Sequence, residues 1–260
     1  MNESNKSGQP GSPEITTAKV LTEVERRQAE RRAISEPSSR IVIAVDRFGF
    51  WFSKHWLAVF NAFIFLYVGL PILAPVLMYL GARWLATVVY TVYRPLCHQL
   101  PQRSFFLFGP QWTYSAENLA ERLGTNIGLG TATRAFVGNE AVGYKMGFCQ
   151  RDIAIYGAIL LVGLAYGLLR RRWKIPSLPW WAYIGLGIMP ILLDGGYQLL
   201  SYIVPLLWPA GPITPHETTP AMRVITGTLF GLATVWLAYP IVQKTTEELR
   251  KSLHQRFGWE

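Results

Sequence analysis

Cysteine is nearly absent from this 260-residue chain, which has only Cys97 and Cys149, and histidine is almost as scarce with four. Two thiols allow one bridge at most. Charge is also thin, at 16% Asp, Glu, Lys and Arg, where a soluble domain carries about a quarter. Missing too are a phosphate-binding P-loop, a dinucleotide-binding glycine fingerprint after a strand, and a zinc-protease helix motif. Neither Ser104 nor Ser201 stands in a nucleophile-elbow sequence. Kinase, nucleotide-cofactor and hydrolase readings therefore lack support, and the residues alone leave open whether the chain is an enzyme. The polar N-terminus has no early apolar core, so the first apolar block is expected to act as an uncleaved anchor.

What is abundant is apolar. Half the residues are hydrophobic, among them 10 Trp, 12 Tyr and 13 Phe. They gather in four blocks nearly free of charge, 57–80, 153–169, 181–203 and 224–242. Each approaches the roughly 20 helical residues that cross a hydrocarbon core of about 30 Å. Lipid offers no partner to a backbone amide, so such blocks must be helices. The expected fold class is all-α, a polytopic membrane protein with four transmembrane helices. Arg83 and Arg94 make the apolar stretch 83–100 too polar to span, so it should be an outer interfacial or re-entrant helix.

Lys and Arg crowd the N-terminal side, the link Arg170-Arg171-Arg172-Trp173-Lys174 and the C-terminal tail, and are missing from 205–219. Positive flanks stay inside, so a cell-membrane protein with cytoplasmic N- and C-termini is expected. A formal net charge of +9 then reflects lipid-facing flanks, and the lipid bilayer rather than nucleic acid is the implied partner. Residues 1–38 read as a flexible cytoplasmic arm, 39–243 as the transmembrane domain, and 244–260 as a cytoplasmic tail. An extracytoplasmic insertion covers 109–147, with a short helix at 116–123 begun by Ser115. Its stretch 124–143, rich in Gly, Thr and Asn, reads as loop.

This topology brings the chemistry to one side. Cys97-His98-Gln99 and Cys149-Gln150-Arg151-Asp152 both fall at the outer edge of apolar segments. A Cys97–Cys149 disulfide would suit an extracytoplasmic location. The same residues suit a metal ion held by Cys97, His98, Cys149 and Asp152, with His216 as another fourth ligand. A redox-active pair is a third reading. Asp194, inside the third apolar block beside Gly195, Gly196 and Gln198, needs a partner or a wet cavity. Arg223 is its expected counter-charge, or that of Asp152. Arg103, Arg151 and Arg223 together could hold an anionic head group. The candidate cluster is thus Cys97, His98, Gln99, Arg103, Cys149, Arg151, Asp152, Asp194, Gln198 and Arg223. The alternative is a structural or accessory subunit of a larger membrane complex, in which the cysteines staple and the charges pair internally.

Cys97-His98-Gln99, Arg103-Ser104-Phe105, Cys149-x-Arg151-Asp152 with Ile155-Tyr156-Gly157, Asp194-Gly195, Gln198, Arg223 and Thr226-Gly227 together resemble the DUF2085 family of prokaryotic membrane proteins. Members often have a second cysteine where this chain has Asp152. The resemblance therefore implies a Cys/His/Asp metal site or a single disulfide rather than a tetrathiolate or a redox dithiol, and it brings no activity with it.

Overall fold

The computed structural model describes residues 17–124, 131–208 and 211–259. Helix α1 (Thr17–Tyr79) leads through a turn at Gly81 into α2 (Arg83–Tyr93). Strand β1 (Ser104–Leu107), α3 (Ala116–Leu123), α4 (Thr131–Ala135), β2 (Gly138–Asn139) and β3 (Gly143–Cys149) follow. Three further long helices complete the chain: α5 (Gln150–Leu169), α6 (Trp180–Leu207) and α7 (Pro220–Phe257). Within α6 the ladder widens into π turns at Ile184–Ile188 and Leu192–Gly196.

Four helical segments among the described residues are long and apolar enough to cross a membrane: Arg40–Tyr79, Gln150–Leu169, Trp180–Leu207 and Pro220–Phe257. The protein is an all-α polytopic membrane protein. Each helix overruns its apolar block, because the ladder continues into polar flanks that hydropathy leaves out. Small residues set the close approaches between spans. A Cβ on Gly231 of α7 would lie 2.4 Å from the Ile155 carbonyl of α5, and one on Gly163 of α5 would lie 2.5 Å from Asn61 Oδ1 of α1.

Two compact units are distinguishable. One comprises the described residues up to Ser53 together with those from Leu249 onward. Inside it Arg256 pairs with Asp46 at 3.6 Å, and the Phe50 and Trp259 rings meet edge-on at 5.9 Å. The other, Lys54–Glu248, holds the four-helix bundle and every candidate residue.

Two expectations need correction. The interfacial helix stops at Tyr93 instead of reaching residue 100. Pro95 has no N–H to give Thr91, so the ladder fails there. The insertion does contain α3, with Ser115 Oγ accepting from Asn118 N at 3.1 Å, but β2 and the start of β3 fall in the stretch 124–143 expected as loop, and they join β1 in an antiparallel sheet of order β1-β3-β2. Gly143, at φ +81°, makes the turn into β3, and its missing Cβ leaves room for the Leu107 carbonyl, 2.4 Å from where that atom would stand. Gly147 lets β3 cross Pro71 of α1 closely, a Cβ there coming within 3.2 Å of Pro71 Cα.

The sheet is locked to the turn after α2 by Lys145, which is completely buried. Its Nζ donates to the carbonyls of Gln99 at 2.6 Å and Arg134 at 2.9 Å, and Tyr90 Oη donates to the Lys145 carbonyl at 2.5 Å. Burial pushes the Lys145 ammonium down to about 7. The two carbonyls offset that penalty by solvating the charge. Replacing Lys145 by Met would strand both acceptors, and a loss of about 2–4 kcal/mol is expected from thermal unfolding in detergent.

Candidate functional site

Cys149 sits where β3 hands over to α5. It is opposite Ser104 in the sheet and is also the N-cap of α5, its sulfur accepting from Asp152 N at 3.5 Å. Ser, Thr, Asp or Asn would cap better, since sulfur is a weak acceptor. Capping alone therefore does not explain a thiol here. Cys97 arrives from the turn after α2, where its N–H bonds the Tyr93 carbonyl at 3.0 Å. It packs with Tyr93 and Phe148 in an aromatic cluster completed by Tyr67 and Tyr156.

The two sulfurs lie 4.0 Å apart and are unbonded, against about 2.05 Å in a disulfide. Asp152, in the first turn of α5, completes a set in which the two sulfurs and a carboxylate oxygen all lie within 4.8 Å of one another. A carboxylate there is favoured by the helix dipole. Asp152 makes no ion pair among the described residues. The hydrogen bond with Cys97, and then burial, hold the Cys149 thiol well above its usual range.

Every candidate except Asp194 lines one cavity of about 210 Å3 at this end of the bundle. Leu96 and Leu100 supply apolar wall. His98 is on the rim, exposed, with its backbone carbonyl accepting from Arg134 Nε at 2.9 Å. It lies outside the tight sulfur–carboxylate set, as does His216, whose ring stands 5.4 Å from that of Tyr197. Gln99 adopts a left-handed backbone, φ 52°, steadied by its own side chain on the Tyr90 carbonyl at 2.9 Å.

The charges pair differently from expectation. Asp194 binds Arg151, not Arg223. The reason is spatial: Gly195 leaves the guanidinium room, a Cβ there falling 2.7 Å from Arg151 Nη1. The π turn at Leu192–Gly196 carries Asp194 toward α5, consistent with the habit of such bulges to re-aim functional side chains.

Arg223 instead joins a network centred on Glu217, which was outside the candidate list. Glu217 accepts from Arg103 Nη2 at 2.7 Å, Arg223 Nη2 at 2.5 Å, Tyr202 Oη at 2.7 Å and Gln198 Nε2 at 2.5 Å. Arg223, only 3% exposed, spends its remaining donors on Thr218 Oγ1, the Gln102 carbonyl and Gln150 Oε1 at 3.1, 3.3 and 3.1 Å. Gln150 in turn donates to the Ser104 carbonyl at 3.1 Å. Glu217 thus pairs with two guanidiniums and Asp194 with the third. Glu217 and His216 stand in a link without Lys or Arg that can fold over the cluster, and a lone acid there has to find its cations elsewhere.

Residues 130–237 match the family described as Predicted membrane protein (DUF2085), which bears out the resemblance read from the motifs. An uncharacterised protein of the archaeon Methanocaldococcus jannaschii, MJ1492, is 27% identical over 195 residues, covering 72% of this chain and 92% of the relative. No solved structure matches.

Burial alone would push the Glu217 carboxyl up, but the hydrogen bonds from Arg103 and Tyr202 and the charges of Arg103 and Arg223 hold it below the usual range. A depressed carboxyl contributes stability that is complete above its unfolded value, 4.5, and is lost as pH falls through the lower folded value. Glu217→Gln leaves Arg223 buried without its counter-charge. An expected cost of about 3 kcal/mol, together with loss of the acid limb of the stability profile below the unfolded value, is checked by thermal melts across pH.

Proposed function

We propose that this protein binds a thiophilic metal ion, with Cys97, Cys149 and Asp152 as ligands, at the extracytoplasmic end of its helix bundle. The mutual distance of these three donors, all within 4.8 Å, is the observation that supports the reading. Two thiolates and one carboxylate suit Zn2+, a borderline ion that takes sulfur and oxygen together. Three protein ligands would leave a fourth position for water or an incoming donor, and His98 on the rim of the same cavity is the nearest imidazole among the cavity walls. When bound, such an ion supplies Lewis acidity or a hand-over point for metal. Arg103, Arg151 and Arg223 are engaged by Glu217 and Asp194, which disfavours using them as a clamp for an anionic head group. The basic flanks favour a cytoplasmic arm 1–38 and tail 244–260, an orientation in which the thiols would face outward.

A second reading rests on the 4.0 Å between the sulfurs. A small rotation of both side chains would permit a Cys97–Cys149 disulfide. Closing it releases two protons and passes two electrons to an external disulfide or quinone. That version makes the pair a staple or a redox couple in an accessory subunit.

Metal analysis of protein purified without chelator separates the two. Stoichiometric zinc, lost in Cys97→Ser, Cys149→Ser and Asp152→Asn, is the expected outcome. Protein that remains metal-free under zinc supplementation, and whose intact mass is lower by two hydrogens until reductant is added, would discard the metal site for the staple. Because the raised Cys149 thiol must lose its proton to bind, zinc affinity should climb with pH, by roughly a hundredfold per unit if both thiols are released as thiolates. Competition titrations at pH 6, 7 and 8 measure this slope.

A further inference from the structure

The opposite end of α5 carries a second constellation, unrelated to the thiols. The 20 residues of α5 separate the two by about 30 Å at 1.5 Å per residue. There Arg170, Arg171, Lys174 and Lys244 line a cavity of about 950 Å3. Its walls are held in place. Trp236 Nε1 donates to the Pro176 carbonyl at 3.2 Å, and Leu178 N donates to the Trp236 carbonyl at 3.2 Å, so the link after α5 is pinned against α7. Arg170 is bound by Gln243 and lies over the Trp56 ring, 5.8 Å from its centroid.

The charge balance favours an anion. Arg171, Lys174 and Lys244 make no ion pair among the described residues. Glu247 and Glu248 line the same cavity, but Glu247 already accepts from Gln243 Nε2. Four cations against two carboxylates leave a positive excess.

The shape narrows the ligand further. A second cavity of about 280 Å3, walled by apolar residues including Leu169, Leu232 and Trp236, shares Tyr166 and Ile175 with the first. It runs between α5 and α7 on the membrane-spanning part of the bundle. A cationic bowl opening into a dry groove matches a molecule with an anionic head and a hydrocarbon tail. Free phosphate would leave the groove unused. We propose that Arg170, Arg171, Lys174 and Lys244 hold the head group of an anionic phospholipid, with one acyl chain lying along Tyr166, Leu232 and Trp236.

Native mass spectrometry of the full chain, loaded with phosphatidylglycerol or with phosphatidylcholine of the same chains, tests this. Wild-type protein should retain phosphatidylglycerol preferentially. Each of Arg171→Gln, Lys174→Gln and Lys244→Gln should weaken retention by about fivefold. Leu232→Trp, which fills the groove and leaves the charges alone, should weaken the diacyl lipid as well. Helical circular dichroism checks that each variant is folded. Equal retention of both lipids, or no response to the three charge removals, would overturn the site. Thermal stabilisation by glycerol 3-phosphate equal to that by the diacyl lipid, unaffected by Leu232→Trp, would reassign it to free phosphate and overturn the lipid.

Discussion

One carboxylate holds the cysteine end of this bundle together. Glu217 comes from the link between α6 and α7, yet its four donors come from the turn before β1, from two positions on α6 and from α7. Removing it would release an arginine on each side of the cavity. The energetic logic is that of a buried cation whose cost is met only while its partner stays in place. Arg223 cannot relax into water, because Gln102, Gln150 and Thr218 enclose its remaining donors. The link carrying Glu217 is therefore obligatory structure, and its five prolines from Pro205 to Pro220 suit an extended, stiff cap.

With the arginines occupied, the thiols and Asp152 become the unmatched chemistry. Cys97 and Cys149 reach each other through two separate devices: a helix ended by Pro95, and a strand that becomes a helix at Cys149. The first delivers Cys97 from the α2 side, and the second fixes Cys149 over the first turn of α5. Lys145 couples them, since its ammonium grips the Gln99 carbonyl two residues beyond Cys97 while its own strand ends in Cys149. A buried lysine used as a brace is costly unless its acceptors are fixed. The unusual backbone of Gln99 aims its carbonyl at that ammonium. The left-handed Gln99, the buried Lys145 and the neighbouring thiols are the local geometry behind the proposed site.

Much of the architecture was legible because lipid imposes a simple rule. Four charge-poor blocks had to be helices, and Cys97, Cys149, Asp194 and Arg223 all mapped to one end from the order of those blocks alone. Local pairing was not legible in the same way. Whether Asp194 meets Arg151 or Arg223 depends on the missing Cβ of Gly195 and on a π turn, neither of which leaves a charge pattern. The sheet was hidden for a related reason. Residues 143–149 are largely buried yet carry Lys145 and two glycines, so they show no strand alternation, while their partner at 104–107 lies almost forty residues upstream. Gly143, inside the stretch expected as loop, permits close approach of β1, and Gly147 that of α1.

The two ends of α5 obey opposite electrostatic arrangements. At its N-terminus Arg103 and Arg223 share Glu217 and Arg151 pairs with Asp194, while Asp152 makes no ion pair among the described residues. At its C-terminus the basic side chains outnumber their acids, and Arg171, Lys174 and Lys244 remain over. A helix dipole favours just this placement, acid at the start and base at the end, but the dipole decays within a turn and cannot account for Lys244 on α7. In the proposed readings an unpaired carboxylate beside two thiols suits a cation, whereas unpaired cations beside an apolar groove suit an amphiphilic anion. The unpaired groups at each end, more than the paired ones, are what the two proposed sites rest on.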